Sequence, residues 1–194
     1  MTAAVDNFEK VAAFLPEREP QDGLFWYTEL IWREKGQKRS NRHRILRMFQ
    51  HETRIELELQ MPAIRELCDQ TGVRAYTRLS PRLHEQVGKE VARRAVDVAL
   101  DGRWHELQRL YASVCGTTPY RPMQLWLFDV DVPVLTPFHS LEQELLQRDA
   151  LVTVIPSKSG YHIIVKPHQV NYDLMGISVH KDNPTNLYIP ASEE

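Results

Sequence analysis

The stretch that decides the fold of this 194-residue chain is Leu125-Trp126-Leu127-Phe128-Asp129-Val130-Asp131. Four consecutive large apolar side chains predict a strand that is covered on both faces. Two acids follow at alternate positions, and residues i and i+2 of a strand point to the same side of a sheet. The stretch therefore predicts a buried strand that ends with two carboxylates on one face.

Hydrophobic periodicity extends this prediction in both directions along the chain. Before the strand it predicts a hairpin over 24–32 and 44–49, a helix over 54–70, a strand over 73–79, and helices over 83–100 and 104–114. After it come a helix over 140–148, with Ser140 as N-cap, and strands over 151–155, 162–165, 177–180 and 186–189. This order predicts one α+β domain over residues 1–194, in which helices pack on a mixed, mainly antiparallel sheet. Residues 1–23 are expected to form an N-terminal capping segment.

Composition places the chain among globular proteins, because 42% of its residues are hydrophobic and 26% are charged. No apolar run is long enough to span a membrane, so no membrane partner is expected. The first ten residues are polar and do not resemble a secretory signal. The two cysteines, Cys68 and Cys115, lie far apart in helical patterns and predict reduced, packed thiols. These features together predict a cytoplasmic protein.

The net charge is only −2, but the basic residues are unevenly distributed. Seven of them fall at the tip of the predicted hairpin: Arg33, Lys35, Lys38, Arg39, Arg42, Arg44 and Arg47. Such a cluster predicts an arm that contacts nucleic-acid phosphates, with Arg39 and Arg42 at its centre. A solvated hairpin tip explains the same pattern equally well.

A second polar strip begins on the strand over 73–79 and runs past its end, with polar residues at every second position: Arg74, Tyr76, Arg78, Ser80 and Arg82. Guanidinium groups at this spacing are suited to phosphates, and the tyrosine is suited to stacking on a base. Arg74, Arg78 and Arg82 are therefore nucleic-acid contacts in one interpretation. In the other interpretation they form a solvated polar face.

The paired acids Asp129 and Asp131 carry the strongest chemical signal. Two like charges held side by side are unfavourable unless a positive charge neutralises them. A divalent cation with oxygen ligands, Mg²⁺ or Mn²⁺, would do so and would serve phosphoryl chemistry. The alternative is a pair of surface acids that simply end a strand.

A second signal lies about thirty residues later, in Ser157-Lys158-Ser159-Gly160-Tyr161-His162. A turn of this composition exposes backbone N–H groups, two hydroxyls and an ammonium group, which predicts a phosphate cradle. His162 opens the following strand and could reach the same site. Its alternative role is that of a hydrogen-bonded structural histidine.

Together, the acidic pair after an apolar strand and the Ser/Lys/Gly/His stretch resemble the archaeo-eukaryotic primase superfamily. The similarity covers mainly residues 125–165 and extends to primases of phages and plasmids and to the polymerase domains of bacterial end-joining ligases. It implies a primase-polymerase-like core in which Asp129 and Asp131 bind the catalytic metals. It also implies that Ser157, Lys158, Ser159 and His162 hold a nucleoside triphosphate.

The resemblance implies further a third metal-binding acid late in the sheet, for which Asp173 and Asp182 are the two options. The implied activity is nucleotidyl transfer on DNA or RNA, with a helicase or other replication protein as partner and a phage or mobile-element origin. The sequence departs from the family pattern at Gly160, which stands two residues before the histidine where the family usually has serine. The alternative function is a catalytically inactive nucleic-acid-binding or adaptor protein on the same scaffold.

Two other enzyme classes fit the sequence less well. A phosphatase of the haloacid dehalogenase type needs threonine or valine two residues after the second acid, where this chain has Pro133. A cyclic phosphodiesterase needs two His-x-Thr/Ser repeats, and the chain has one, at His51 and Thr53.

Overall fold

The computed structural model describes residues 3–32, 44–131, 135–167 and 179–191, with the backbone alone for residues 44, 131, 135–140 and 179. Its helices are α1 (Phe8–Ala12), α2 (Arg54–Thr71), α3 (His84–Leu100), α4 (Leu107–Cys115) and α5 (Leu135–Gln147), with 3-10 turns at Trp104–Glu106 and Arg121–Met123. Its strands are β1 (Val5–Asp6), β2 (Leu24–Trp32), β3 (Arg44–His51), β4 (Arg74–Leu83), β5 (Trp126–Asp131), β6 (Leu151–Pro156), β7 (Gly160–Val165), β8 (Val179–Lys181) and β9 (Thr185–Ile189).

These strands form two sheets. The first has the order β1-β9-β4-β2-β3, and the second has the order β6-β7-β5-β8. Every strand pair among the described residues is antiparallel. The predicted α+β class and mainly antiparallel pairing are therefore confirmed. The prediction of one mixed sheet is wrong, because β8 pairs with β5 while β9, the next strand in the chain, pairs with β4 and β1.

Strand β5 is central in the second sheet and is covered on both faces, as its apolar sequence predicts. Leu127 packs in the main core, which the second sheet shares with the first. Trp126 and Phe128 point the other way and pack with Leu141 and Leu145 of α5. This alternation puts Asp129 on the face that looks towards the first sheet.

The first sheet is also covered on both faces. Alternate residues of β2, such as Trp26 and Leu30, pack with α1, α2 and the second sheet. Phe25 and Tyr27 point to the opposite face and pack with α3 and α4. The nine-residue strand β2 is consequently buried along its whole length except at Trp32.

Helix α2 shows why the local sequence folds as it does. Thr53 caps its first turn by accepting a hydrogen bond from the N–H of Glu56, and Gly72 ends it with a φ of 72°, a conformation that favours glycine. The helix continues through Pro62. Cys68, on its buried face, is an unpaired thiol, and burial raises its pKa to about 12.

Two local predictions need correction. Helix α5 starts at Leu135, so Ser140 lies inside the helix and is not its N-cap. The true first turn contains Pro137, which is tolerated there because the first N–H groups of a helix have no partner within the helix. The N-terminal segment also contains a strand, β1, which pairs with Tyr188 and Ile189 of β9. None of the helices in the described ranges is long and apolar enough to cross a membrane.

A candidate site between the two sheets

The register of β5 against β7 brings together the two stretches that the sequence singles out. Asp129 lies opposite His162, and Asp131 lies opposite Gly160. The Asp129 Oδ1 and His162 Nε2 atoms are 3.5 Å apart. The acidic pair and the Ser/Lys/Gly/His hairpin therefore meet at one end of the second sheet.

The hairpin that carries His162 closes tightly. The Ser157 N–H donates a hydrogen bond to the Gly160 carbonyl at 2.8 Å, so that β6 turns directly into β7. Lys158 and Ser159 stand exposed at the tip, while Ser157 is half-buried. Two hydroxyls and an ammonium group therefore lie beside the end of β5 that carries the acids.

His162 itself is held from the other sheet. The residue is 6% exposed, and Nδ1 lies 2.9 Å from the hydroxyl oxygen of Thr185 on β9. The side-chain nitrogen of Asn186 is 3.4 Å from Nε2. Thr185 and Asn186 could not be predicted, since nothing local marks two polar residues that open a strand as partners of a histidine over twenty residues away. Asp129, by contrast, is about half exposed.

Asp182 does not reach this site. Its N–H donates to the carbonyl of Leu125 at 3.4 Å, which places it beside the start of β5. Asp129 lies four residues further along the strand, or about 13 Å at the usual rise per residue. The prediction of Asp182 as third metal ligand is therefore wrong.

Instead, Asp182 forms a buried ion pair with Arg82 of β4. This Arg82–Asp182 pair is called the clasp below. The Arg82 Nη2 donates to Asp182 Oδ2 at 2.5 Å, and Arg82 is completely buried. Arg82 Nε also donates to the Cys115 carbonyl, and Nη1 donates to the Ser80 carbonyl. The clasp fixes the point at which the chain crosses from β8 in the second sheet to β9 in the first.

Arg78 joins the same cluster. Its guanidinium donates to the Asp182 backbone carbonyl at 2.5 Å and lies 3.9 Å from the carboxylate of Glu29, a buried acid whose pKa is raised by burial. Alternation along β4 is thus as predicted, with both arginines on one face, but that face is interior. Arg82 has no exposed surface for a nucleic-acid contact, and Arg78 is mostly buried.

The remaining predicted contacts have different outcomes. Arg74 is half-buried at the start of β4, opposite Ile31 of β2. Arg39, Arg42 and Asp173 lie outside the described residues, as does the side chain of Asp131.

The donor set at the site consists of one carboxylate and one imidazole from described side chains. No group of three or more histidine, cysteine or acidic side chains that could hold a metal occurs in the described part of the chain. A carboxylate and an imidazole are donors that suit a divalent cation with mixed oxygen and nitrogen ligands.

Comparison with known proteins gives no match to any protein-family model, curated protein or solved structure.

Proposed function

We propose that this protein is a metal-dependent nucleotidyltransferase of the primase-polymerase kind, which joins nucleotides from nucleoside triphosphates to DNA or RNA. The observation that carries the proposal is the register that sets Asp129 opposite His162 and Asp131 opposite Gly160. Distant parts of the sequence that each suggested phosphate chemistry converge on one partly open surface. A triphosphate site needs these groups to lie close together, whereas two unrelated polar features would not need to.

Each part of the site has a distinct role in this proposal. Asp129 and Asp131 hold Mg²⁺ or Mn²⁺, which would neutralise charge on the phosphate oxygens. Lys158 attracts the triphosphate with its exposed ammonium group, and the hydroxyls of Ser157 and Ser159 donate hydrogen bonds to it. The proposal also includes a helicase or other replication protein as partner, a cytoplasmic location and a phage or mobile-element origin.

Isothermal titration of Mn²⁺, with and without a nucleoside triphosphate, tests the proposal. Wild type is compared with the double variant Asp129→Asn/Asp131→Asn, which keeps side-chain size and removes the charges. The matched control is Asp101→Asn/Asp149→Asn, which removes two acids at exposed positions elsewhere. We expect triphosphate binding that depends on Mn²⁺, that is lost in the first variant and that is unchanged in the control.

Primer extension on a templated oligonucleotide then tests for transfer itself. Absence of any metal-coupled triphosphate binding in the wild type would refute the nucleotidyltransferase proposal.

One observation favours a second candidate function, a non-catalytic nucleic-acid-binding or adaptor protein. Asp182 is bound in the clasp and does not serve as a third acid. A binding protein needs no third acid, since it moves no phosphoryl group. It would bind an oligonucleotide equally well with Mn²⁺ or with a chelator, whereas the catalytic proposal requires the metal for triphosphate binding.

A further inference from the structure

We propose that His162 is itself a ligand of the divalent cation, through Nε2, and that Thr185 is the positioning residue that orients it. This inference rests on the cation site of the proposed function and changes the role of one residue in it. His162 would contact the metal beside Asp129, whereas the family resemblance implies that it contacts the triphosphate.

The distance between the two donor atoms fits two ligands of one ion. His162 Nε2 and Asp129 Oδ1 are 3.5 Å apart, which is longer than a good hydrogen bond. Two atoms that each lie about 2.1 Å from one ion are about 3.0 Å apart at a right angle and about 3.4 Å apart at a tetrahedral angle. The observed separation is therefore close to that of two ligands on one ion, and a shift of a few tenths of an ångström would complete the geometry.

The contacts of the His162 ring indicate which of its nitrogens carries the proton. A histidine that binds metal through Nε2 carries its proton on Nδ1 and usually donates it to an oxygen that fixes the ring. The hydroxyl oxygen of Thr185 lies 2.9 Å from Nδ1 and is fully buried, so it can accept that hydrogen bond. On the other side of the ring, the amide nitrogen of Asn186 lies 3.4 Å from Nε2 and can only donate, which favours an unprotonated Nε2 whose lone pair a bound metal would take over.

The Asn186 contact thus favours the tautomer with the proton on Nδ1, and the Thr185 hydroxyl can accept the hydrogen bond which that proton makes. A histidine that donates to a triphosphate oxygen through Nε2 would need a proton on that nitrogen. The two roles of His162 therefore predict opposite protonation at Nε2, and they can be separated by experiment.

The metal preference follows from the ligand type. Imidazole nitrogen suits Mn²⁺ and later transition metals, whereas Mg²⁺ takes oxygen ligands and keeps several waters. With His162 as a ligand, the site should bind Mn²⁺ more tightly than Mg²⁺. A site made from carboxylates and phosphate oxygens alone would show a smaller preference.

Pulsed electron paramagnetic resonance of Mn²⁺ bound to the full chain, without nucleotide, tests the inference by detecting coupling to a directly bonded nitrogen. We expect this coupling in wild type and in His84→Gln, and its loss in His162→Gln. His84 is the matched control because its ring nitrogen also lies near a carboxylate, 3.0 Å from Glu52, on a different part of the surface.

Thr185 is tested by its own pair of variants. Loss of a residue that orients a metal-bound histidine typically lowers metal affinity about 10–100-fold. We expect this loss of Mn²⁺ affinity in Thr185→Val, which keeps the side-chain shape, and recovery to within a few-fold of wild type in Thr185→Ser. A purely packing role for Thr185 would give the opposite order, because valine fills the space better than serine.

The outcomes separate this inference from the proposed function. Mn²⁺ that binds through Asp129 without nitrogen coupling would overturn the role of His162 and leave the nucleotidyltransferase proposal standing. Failure of Mn²⁺ to bind even with a triphosphate present would overturn both. A nitrogen-15 spectrum of the metal-free wild type gives an independent check that needs no variant, since a proton on Nε2 of neutral His162 would also overturn the inference.

Discussion

Replacing Asp182 by asparagine should strongly destabilise the protein, because it leaves the buried guanidinium of Arg82 without its counter-charge. Arg82 has no exposed surface, and the Asp182 carboxylate receives hydrogen bonds from both Nη1 and Nη2. Removing one partner of a buried ion pair typically costs about 3–5 kcal/mol, since the remaining charge stays buried. Asparagine keeps the side-chain size, so packing changes little.

Urea unfolding followed by tryptophan fluorescence measures this loss. In thermal unfolding, the same loss should lower the melting temperature by about 6–20 °C, at about 2–4 °C per kcal/mol for a chain of this length. Asp149→Asn is the matched control: both aspartates have a positive φ, of 50° and 60°, so the backbone effect of the substitution is the same. Asp149 pairs with Lys166 on the surface, where an ion pair contributes only about 0–1 kcal/mol. Equal losses in the two variants would refute the argument from burial.

Three further predictions concern stability. Burial lowers the pKa of His51 to about 4, against an opposing effect of Gln60. Because the unfolded chain takes up a proton at this histidine below about pH 6.5 and the folded chain does not, the free energy of unfolding should fall by about 2 kcal/mol between pH 7 and 5. Urea unfolding at a series of pH values should show this fall in wild type and a flatter profile in His51→Leu. Gly72→Ala should cost about 1 kcal/mol by thermal unfolding, because alanine is strained at a φ of 72°. Thr53→Ala should cost about 1 kcal/mol in the same assay by removing the cap of α2, and a loss restored by Thr53→Ser would attribute the effect to the hydroxyl.

Local periodicity explains how much of the fold the sequence could predict. The alternation of β4, the uniformly apolar β5 and the glycine that ends α2 are decided within a few residues, so their patterns identified the elements. Assignment of β8 and β9 to different sheets depends on contacts with β4 and β5, which lie far back in the chain. No pattern within the last twenty residues distinguishes two strands of one hairpin from strands of separate sheets.

The same distinction applies to the site. The sequence places Asp129 and His162 in one site only through the combined resemblance of their two motifs, since the pattern of neither strand identifies its partner. Burial of Arg82 could not be predicted, because it depends on a carboxylate one hundred residues away. An alternating arginine on a strand looks the same in sequence whether it faces solvent or a buried acid.

The clasp and the candidate site are parts of one arrangement. His162 belongs to the second sheet, whereas the threonine that contacts it opens β9 in the first. Only Asn183 and Pro184 separate Thr185 from Asp182, which Arg82 holds in a fixed position. A buried ion pair is a costly way to gain stability, but it is directional, and here it fixes the segment that orients the histidine. The stability of the clasp and the geometry around Asp129 should therefore change together. A loss of metal affinity in a β9 variant identifies an orienting role only where the free energy of unfolding is unchanged.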